Sequence, residues 1–149
     1  MWAYNVKSNN SETIYTPLSF TTVWYTTQES VLLDTGATHN FLNLWTIIQL
    51  GIGTQRLKQP CIVSNVDGTK NKAGLISRYA TITVLLKNKK KSLPFYITNL
   101  GKDRIILGMT WFKALNPEIN WEKGKLLGPL LLQTVNAIVQ INWTTTATD

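Results

Sequence analysis

Val31-Leu32-Leu33-Asp34-Thr35-Gly36-Ala37-Thr38-His39-Asn40-Phe41-Leu42 is the stretch on which the reading of this chain turns. Three apolar residues stop abruptly at a carboxylate, a hydroxyl and a glycine. Such a run reads as a strand that carries Asp34 out of a core and presents it at a tight turn. Gly36 supplies backbone freedom and lets another chain approach closely. Thr35 offers a short hydroxyl that can bond neighbouring backbone and hold the loop still. The triplet taken alone also fits a plain turn at a strand end, with the Asp34 side chain closing an Asx-turn.

Outward from this stretch the chain is mostly β in character. Before it, residues 1–20 are polar and irregular and read as an N-terminal arm or linker. Residues 21–27, rich in Thr, Val, Trp and Tyr, read as a strand, with a turn at Gln28-Glu29. After it, the crowded apolar positions of residues 41–50 are nearer to helical than to alternating spacing and predict a short helix ended by Gly51. Strand signals resume at Cys61-Ile62-Val63. The Asp67-Gly68 pair inside a turn cluster is a hairpin signal, and residues 75–86 follow as a long β stretch. Lys87-Asn88-Lys89-Lys90-Lys91 separates that stretch from another strand at 93–97. Residues 109–115 read as a second short helix closed by Asn116-Pro117, and a hairpin turns at Glu122-Lys123-Gly124. Many short strands with two short helices predict a small, mainly β, barrel-like domain.

Composition bounds the function. The 149 residues suffice for one core and not for two lobes. Hydrophobic residues at 44% exclude a disordered chain. One Cys and one His exclude an intramolecular disulfide framework and a Cys- or His-rich metal site. No apolar run approaches a membrane span and no secretory h-region follows Met1, so the expected setting is cytoplasmic, with no membrane partner. The net charge of +7 permits nucleic-acid contact. The lysine cluster nevertheless sits between two apolar segments with no interleaved aromatics. It reads as a solvated hairpin turn, and nucleic acid is not expected as a direct partner.

The 31–42 stretch resembles the active-site loop of a retropepsin, the single-lobed aspartic protease of retroviruses and LTR retrotransposons. The likeness is nearest to the gypsy-type branch, where the loop continues as Ala-Thr-x-Asn-Phe. Two further blocks follow in the same order. Asn65-Val66-Asp67-Gly68-Thr69 with Gly74-Leu75-Ile76 resembles the flap hairpin. Ile105-Ile106-Leu107-Gly108-Met109-Thr110-Trp111-Phe112, continuing to Asn116-Pro117-Glu118-Ile119-Asn120-Trp121, resembles the hydrophobic-Gly strand and its helix. On this footing residues 21–127 form the retropepsin-like domain, and 128–149 are a C-terminal linker or a dimer strand.

The resemblance implies a closed β-barrel, active as a homodimer, that cleaves a polypeptide substrate and uses no metal or other cofactor. Asp34, Thr35 and Gly36 are the implied catalytic triplet. Two carboxylates must flank one water, and this chain has one Asp-Thr-Gly, so the second Asp34 comes from a second copy. Thr35 bonds across to the partner's loop, and Gly36 offers its carbonyl to the substrate backbone. Ala37 and Thr38 flank the substrate, and Val66, Asp67, Gly68 and Thr69 close over it. Leu32 and Ile106 either wall the subsites or pack in the core. Thr38 and His39 stand where many viral relatives carry acidic residues, and Met109 where many carry Arg. His39 is expected to take a surface or loop-packing role and not to act as a base. The expected function is endoproteolysis, with processing of a retrotransposon polyprotein. The alternative is a retropepsin-like module kept for dimerisation or peptide binding.

Overall fold

The computed structural model describes residues 2–5, 12–64 and 70–134. Eleven strands and two helices follow one another along these residues. They are β1 (Trp2–Asn5), β2 (Thr13–Thr21), β3 (Thr26–Asp34), β4 (Asn40–Asn43), α1 (Leu44–Leu50), β5 (Gln55–Ser64), β6 (Lys70–Leu86), β7 (Lys89–Thr98), β8 (Ile105–Leu107), α2 (Met109–Leu115), β9 (Ile119–Asn120), β10 (Lys125–Leu126) and β11 (Leu130–Thr134).

Hydrogen-bonded neighbours run β1-β5-β6-β11-β2-β3-β8-β4-β7, and β7 pairs back onto β6. Seven strands, β6 through β11, β2, β3, β8 and β4 to β7, therefore close on themselves. The expected mainly-β barrel with two short helices is what the chain forms. Closure depends on the length of β6. Residues near its start pair with β5, whereas those from Tyr79 to Leu86 pair with β7. Closing the sheet leaves no edge at these seven strands, which removes the main route to unwanted pairing.

The barrel interior follows from side-chain alternation. Leu18 and Phe20 on β2, Ile82, Val84 and Leu86 on β6, Leu93, Phe95 and Ile97 on β7, and Leu130 and Leu132 on β11 all point into one buried cluster. Val31 and Leu33 on β3 and Ile105 and Leu107 on β8 join it. Their neighbours Leu32 and Ile106 are buried on the opposite face, in a smaller cluster with Ala37, Phe41, Cys61 and Ile76. Strands covered on both faces carry unbroken apolar runs, which is why β3 and β8 lack alternation.

α1 begins at Asn43, whose Oδ1 accepts the Trp45 N–H at 3.1 Å, and ends at Gly51 in the left-handed region (φ 67°). α2 spans the residues predicted for it, with Trp111 and Leu115 buried. The Lys89 ammonium donates to the Leu115 and Asn116 carbonyls at its C-terminus, at 2.7 and 3.2 Å. No helix among the described residues is long and apolar enough to cross a membrane.

Of the expected helix at 41–50, residues 41–43 belong to β4 and only Leu44–Leu50 are helical, and four further expectations need correction. Residues 13–20 are not an arm, since β2 pairs along its whole length with β3, from Thr13↔Asp34 to Thr21↔Thr26. Of the expected strand at 21–27, residues 22–25 are instead the turn of that hairpin, where the Thr22 hydroxyl accepts the Trp24 and Tyr25 N–H groups. Gln28 and Glu29 lie inside β3. Aromatic and β-branched residues there resemble a strand, but Thr22 closes the turn. Fourth, the domain does not stop at 127. β11 lies between β6 and β2 and pairs with both, so residues 130–134 are neither linker nor an edge left for a partner.

Ending the chain at Leu127 should therefore open the barrel. Leu130 and Leu132 alone represent about 3–6 kcal/mol of buried side chain, and β2 and β6 would each lose a paired neighbour. Thermal unfolding should lose its cooperative transition or move down by more than about 10 °C. An unchanged midpoint would show that β11 is dispensable.

Candidate active site

Asp34 is the last residue of β3, and the chain turns immediately after it. Its carboxylate is wholly buried, and Oδ1 accepts the Gly36 N–H at 2.8 Å. The Ala37 N–H donates to the Asp34 carbonyl at 3.1 Å. These bonds form the tight turn expected of the triplet, Asx closure included, and fix the carboxylate relative to the backbone.

The loop is held from behind by three successive residues. The Gly108 N–H donates to Asn40 Oδ1 at 3.0 Å, the Met109 N–H to the Ala37 carbonyl at 2.8 Å, and Thr110 Oγ1 to the Thr38 carbonyl at 3.1 Å. This approach needs glycine at 108. A Cβ there would lie 2.3 Å from the His39 carbonyl oxygen and 2.6 Å from that of Ala37. The Leu-Gly element between β8 and α2 thus braces the Asp34 loop. β8 itself pairs in parallel with β3 through Leu32↔Ile106 and Leu33↔Leu107.

Thr35 faces the start of β2. Its N–H donates to the Glu12 carbonyl at 3.0 Å, and its hydroxyl accepts the Glu12 N–H at 2.9 Å. The contact to the partner loop that the resemblance implies is thus preceded by one within the same chain. A hydroxyl has two acceptor lone pairs, so one remains for a second donor.

Of the residues expected to contact substrate, Leu32, Ala37 and Ile106 are buried together in the smaller cluster beneath the loop. In the single chain their side chains pack as core. Thr38 is half-buried, with Oγ1 2.9 Å from His39 Nδ1. His39 packs edge-on against Tyr96, at 5.6 Å between ring centroids, and Tyr96 also lies near Phe41 and Tyr79. Burial lowers the His39 pKa below its usual 6.5. A half-buried imidazole within an aromatic cluster matches the packing role expected of it. Val66, Asp67, Gly68 and Thr69 lie outside the described residues. β5 and β6 pair up to Ser64↔Lys70 on either side of them.

Asn40, Gly108 and Thr110, with Glu12, hold the loop and were not among the expected site residues. Asn40 stands within the Ala-Thr-x-Asn-Phe pattern and Gly108 within the hydrophobic-Gly pattern. Both were thus visible as motif positions, but without a partner to bond. Among the described residues no group of three or more His, Cys, Asp or Glu is placed to hold a metal ion.

Comparison with known proteins adds one finding of consequence. Residues 30–130 match the family model of the PEG10/RTL1 protease domain. No solved structure matches the chain.

Two predictions test the brace and its flank. Gly108→Ala should destabilise the fold by about 1–3 kcal/mol, the usual cost of overpacking, read as a lower urea midpoint at constant slope. A wild-type midpoint would mean that the close approach is not required. The His39 imidazole should titrate below 6.5 by NMR. Because the neutral ring is the one favoured in the fold, its contribution to stability is present above the unfolded pKa and is lost as pH falls through the folded one. A midpoint above 6.5 would contradict its burial.

Proposed function

The chain belongs to the PEG10/RTL1 protease domain family, which is retropepsin-like and gypsy-derived, and from that premise we propose that it is a homodimeric aspartic endopeptidase. The observation that carries this reading is a single Asp-Thr-Gly loop, braced on a barrel that has room for only one. One lobe provides one carboxylate. Hydrolysis between two carboxylates requires a second copy, whose Asp34 stands opposite across a two-fold axis.

The chemistry then follows from charge. Two carboxylates this close cannot both ionise, so the pair holds one proton between them. The ionised member takes a proton from water, and the water oxygen attacks the peptide carbonyl carbon. The protonated member gives its proton to the developing oxyanion. Collapse of the tetrahedral intermediate breaks the C–N bond, and the amine leaves with a proton from the pair. The remaining Thr35 lone pair receives the partner loop, and the Gly36 carbonyl aligns the substrate backbone. Val66, Asp67, Gly68 and Thr69 take the flap role and exclude water. The proposed substrate is a polypeptide, in the first place the polyprotein of the element from which the chain derives.

Asp34→Asn should abolish peptidase activity, by a factor of a hundred or more, without lowering the unfolding midpoint. Wild-type specific activity should climb with protein concentration and then saturate, because the active species forms by mass action. Its pH profile should be bell-shaped and acidic, with both limbs belonging to the pair. Undiminished activity in the Asn variant would end the assignment. A wild-type chain inert at every concentration would point to the module without catalysis.

A further inference from the structure

The largest unexplained feature lies away from the Asp34 loop. The β2–β3 turn exposes Val23, Trp24 and Tyr25, and the outer face of α1 exposes Leu44, Trp45 and Ile48. Three of these are more than half open to solvent, with Trp24 61%, Trp45 65% and Ile48 60% exposed. The two groups adjoin. The Tyr25 hydroxyl donates to the Gln49 carbonyl at 3.3 Å. The Trp24 indole lies 3.7 Å from the position a Cβ would take on Gly51, at the end of α1. Leu44 and Ile48 stand four residues apart, one turn above the other on the helix. The result is a continuous aromatic and aliphatic surface, of a kind that marks a docking site.

β11 ends beside it. Its parallel pairing with β2 runs Leu131↔Ser19, Leu132↔Phe20 and Gln133↔Thr21. That pairing stops at Thr21, the last residue of β2, immediately before the exposed turn. The sequence that follows is Val135-Asn136-Ala137-Ile138-Val139-Gln140-Ile141-Asn142-Trp143, with six apolar residues and no charge. We propose that residues 135–143 of the same chain dock on the surface formed by Val23, Trp24, Leu44, Trp45 and Ile48. Nine residues reach up to ~30 Å when extended, and α1 is only ~10 Å long. Reach is therefore ample. The covalent tether also keeps the segment at a millimolar-scale effective concentration (~mM). A second copy would have to compete with that advantage. The proposal goes beyond the proteolytic reading and does not depend on it.

The test labels the full chain with 5-fluorotryptophan, assigns each resonance by single Trp→Phe exchange, and measures the solvent isotope shift in H2O against D2O. Trp24 and Trp45 should be shielded in the full chain. Their isotope shifts should rise at least twofold in a chain ending at Thr134, and likewise in full-length Ile138→Asp/Ile141→Asp. Trp111, wholly buried in α2, should not change and reports that each variant is folded. Tenfold dilution of the wild type should leave the shielding intact. Equal exposure of Trp24 and Trp45 in all three chains would overturn the proposal, because the surface would then await a foreign partner. Shielding that disappears on dilution would overturn it equally, by showing that a second copy is the occupant.

Discussion

The Asp34 loop can do chemistry only if its carboxylate is held still, and what holds it is the absence of a side chain at Gly108. With no Cβ between them, the β8–α2 junction approaches the loop closely enough for Gly108, Met109 and Thr110 to bond Asn40, Ala37 and Thr38. The brace has two ends. One is β8, inserted between β3 and β4. The other is α2, anchored by buried Trp111 and Leu115 and capped by Lys89 from β7. Barrel closure, helix docking and placement of the Asp-Thr-Gly triplet are thus one mechanical problem. Glu12 completes the support from the opposite side by bonding Thr35.

Much of this was legible in the residues, and the exceptions have physical causes. The end of β3 at Asp34, the span of α2 and the stop of α1 at Gly51 all rest on local signals, namely a polar break, an Asn-Pro terminus and a left-handed glycine. Trp24 and Tyr25 misled because aromatic residues signal strands through burial, and these two are exposed on a turn that Thr22 closes. β2 and β11 were missed for a different reason. The first half of β2 is open to solvent at Thr13, Tyr15 and Pro17, and β11 follows Gly128-Pro129, which reads as a break in a strand. Both owe their existence to neighbours distant in sequence. The bonds of Asn40 and Gly108 span 68 residues, so no local pattern identifies who holds whom.

The same closure bears on how two copies would meet. β10 pairs with β9, and β11 is paired on both sides within its own chain. Among the described strands β1 keeps one open edge, and in the proposed enzyme that edge and the active-site loops are what a two-fold contact can use. A small shared interface makes assembly sensitive to concentration. It also makes the loop brace matter twice, since a carboxylate misplaced in one copy misaligns the pair.

The central claim is that one functional site needs two chains. The most direct measurement is calorimetric titration of the protein with a peptide analogue bearing a non-cleavable hydroxyl at the scissile position. Such a compound mimics the tetrahedral state and occupies the space between the two carboxylates. A half-site in each chain predicts saturation at one analogue for every two chains, with no binding to Asp34→Asn. Saturation at one analogue per chain, or equal affinity for the Asn variant, would contradict it.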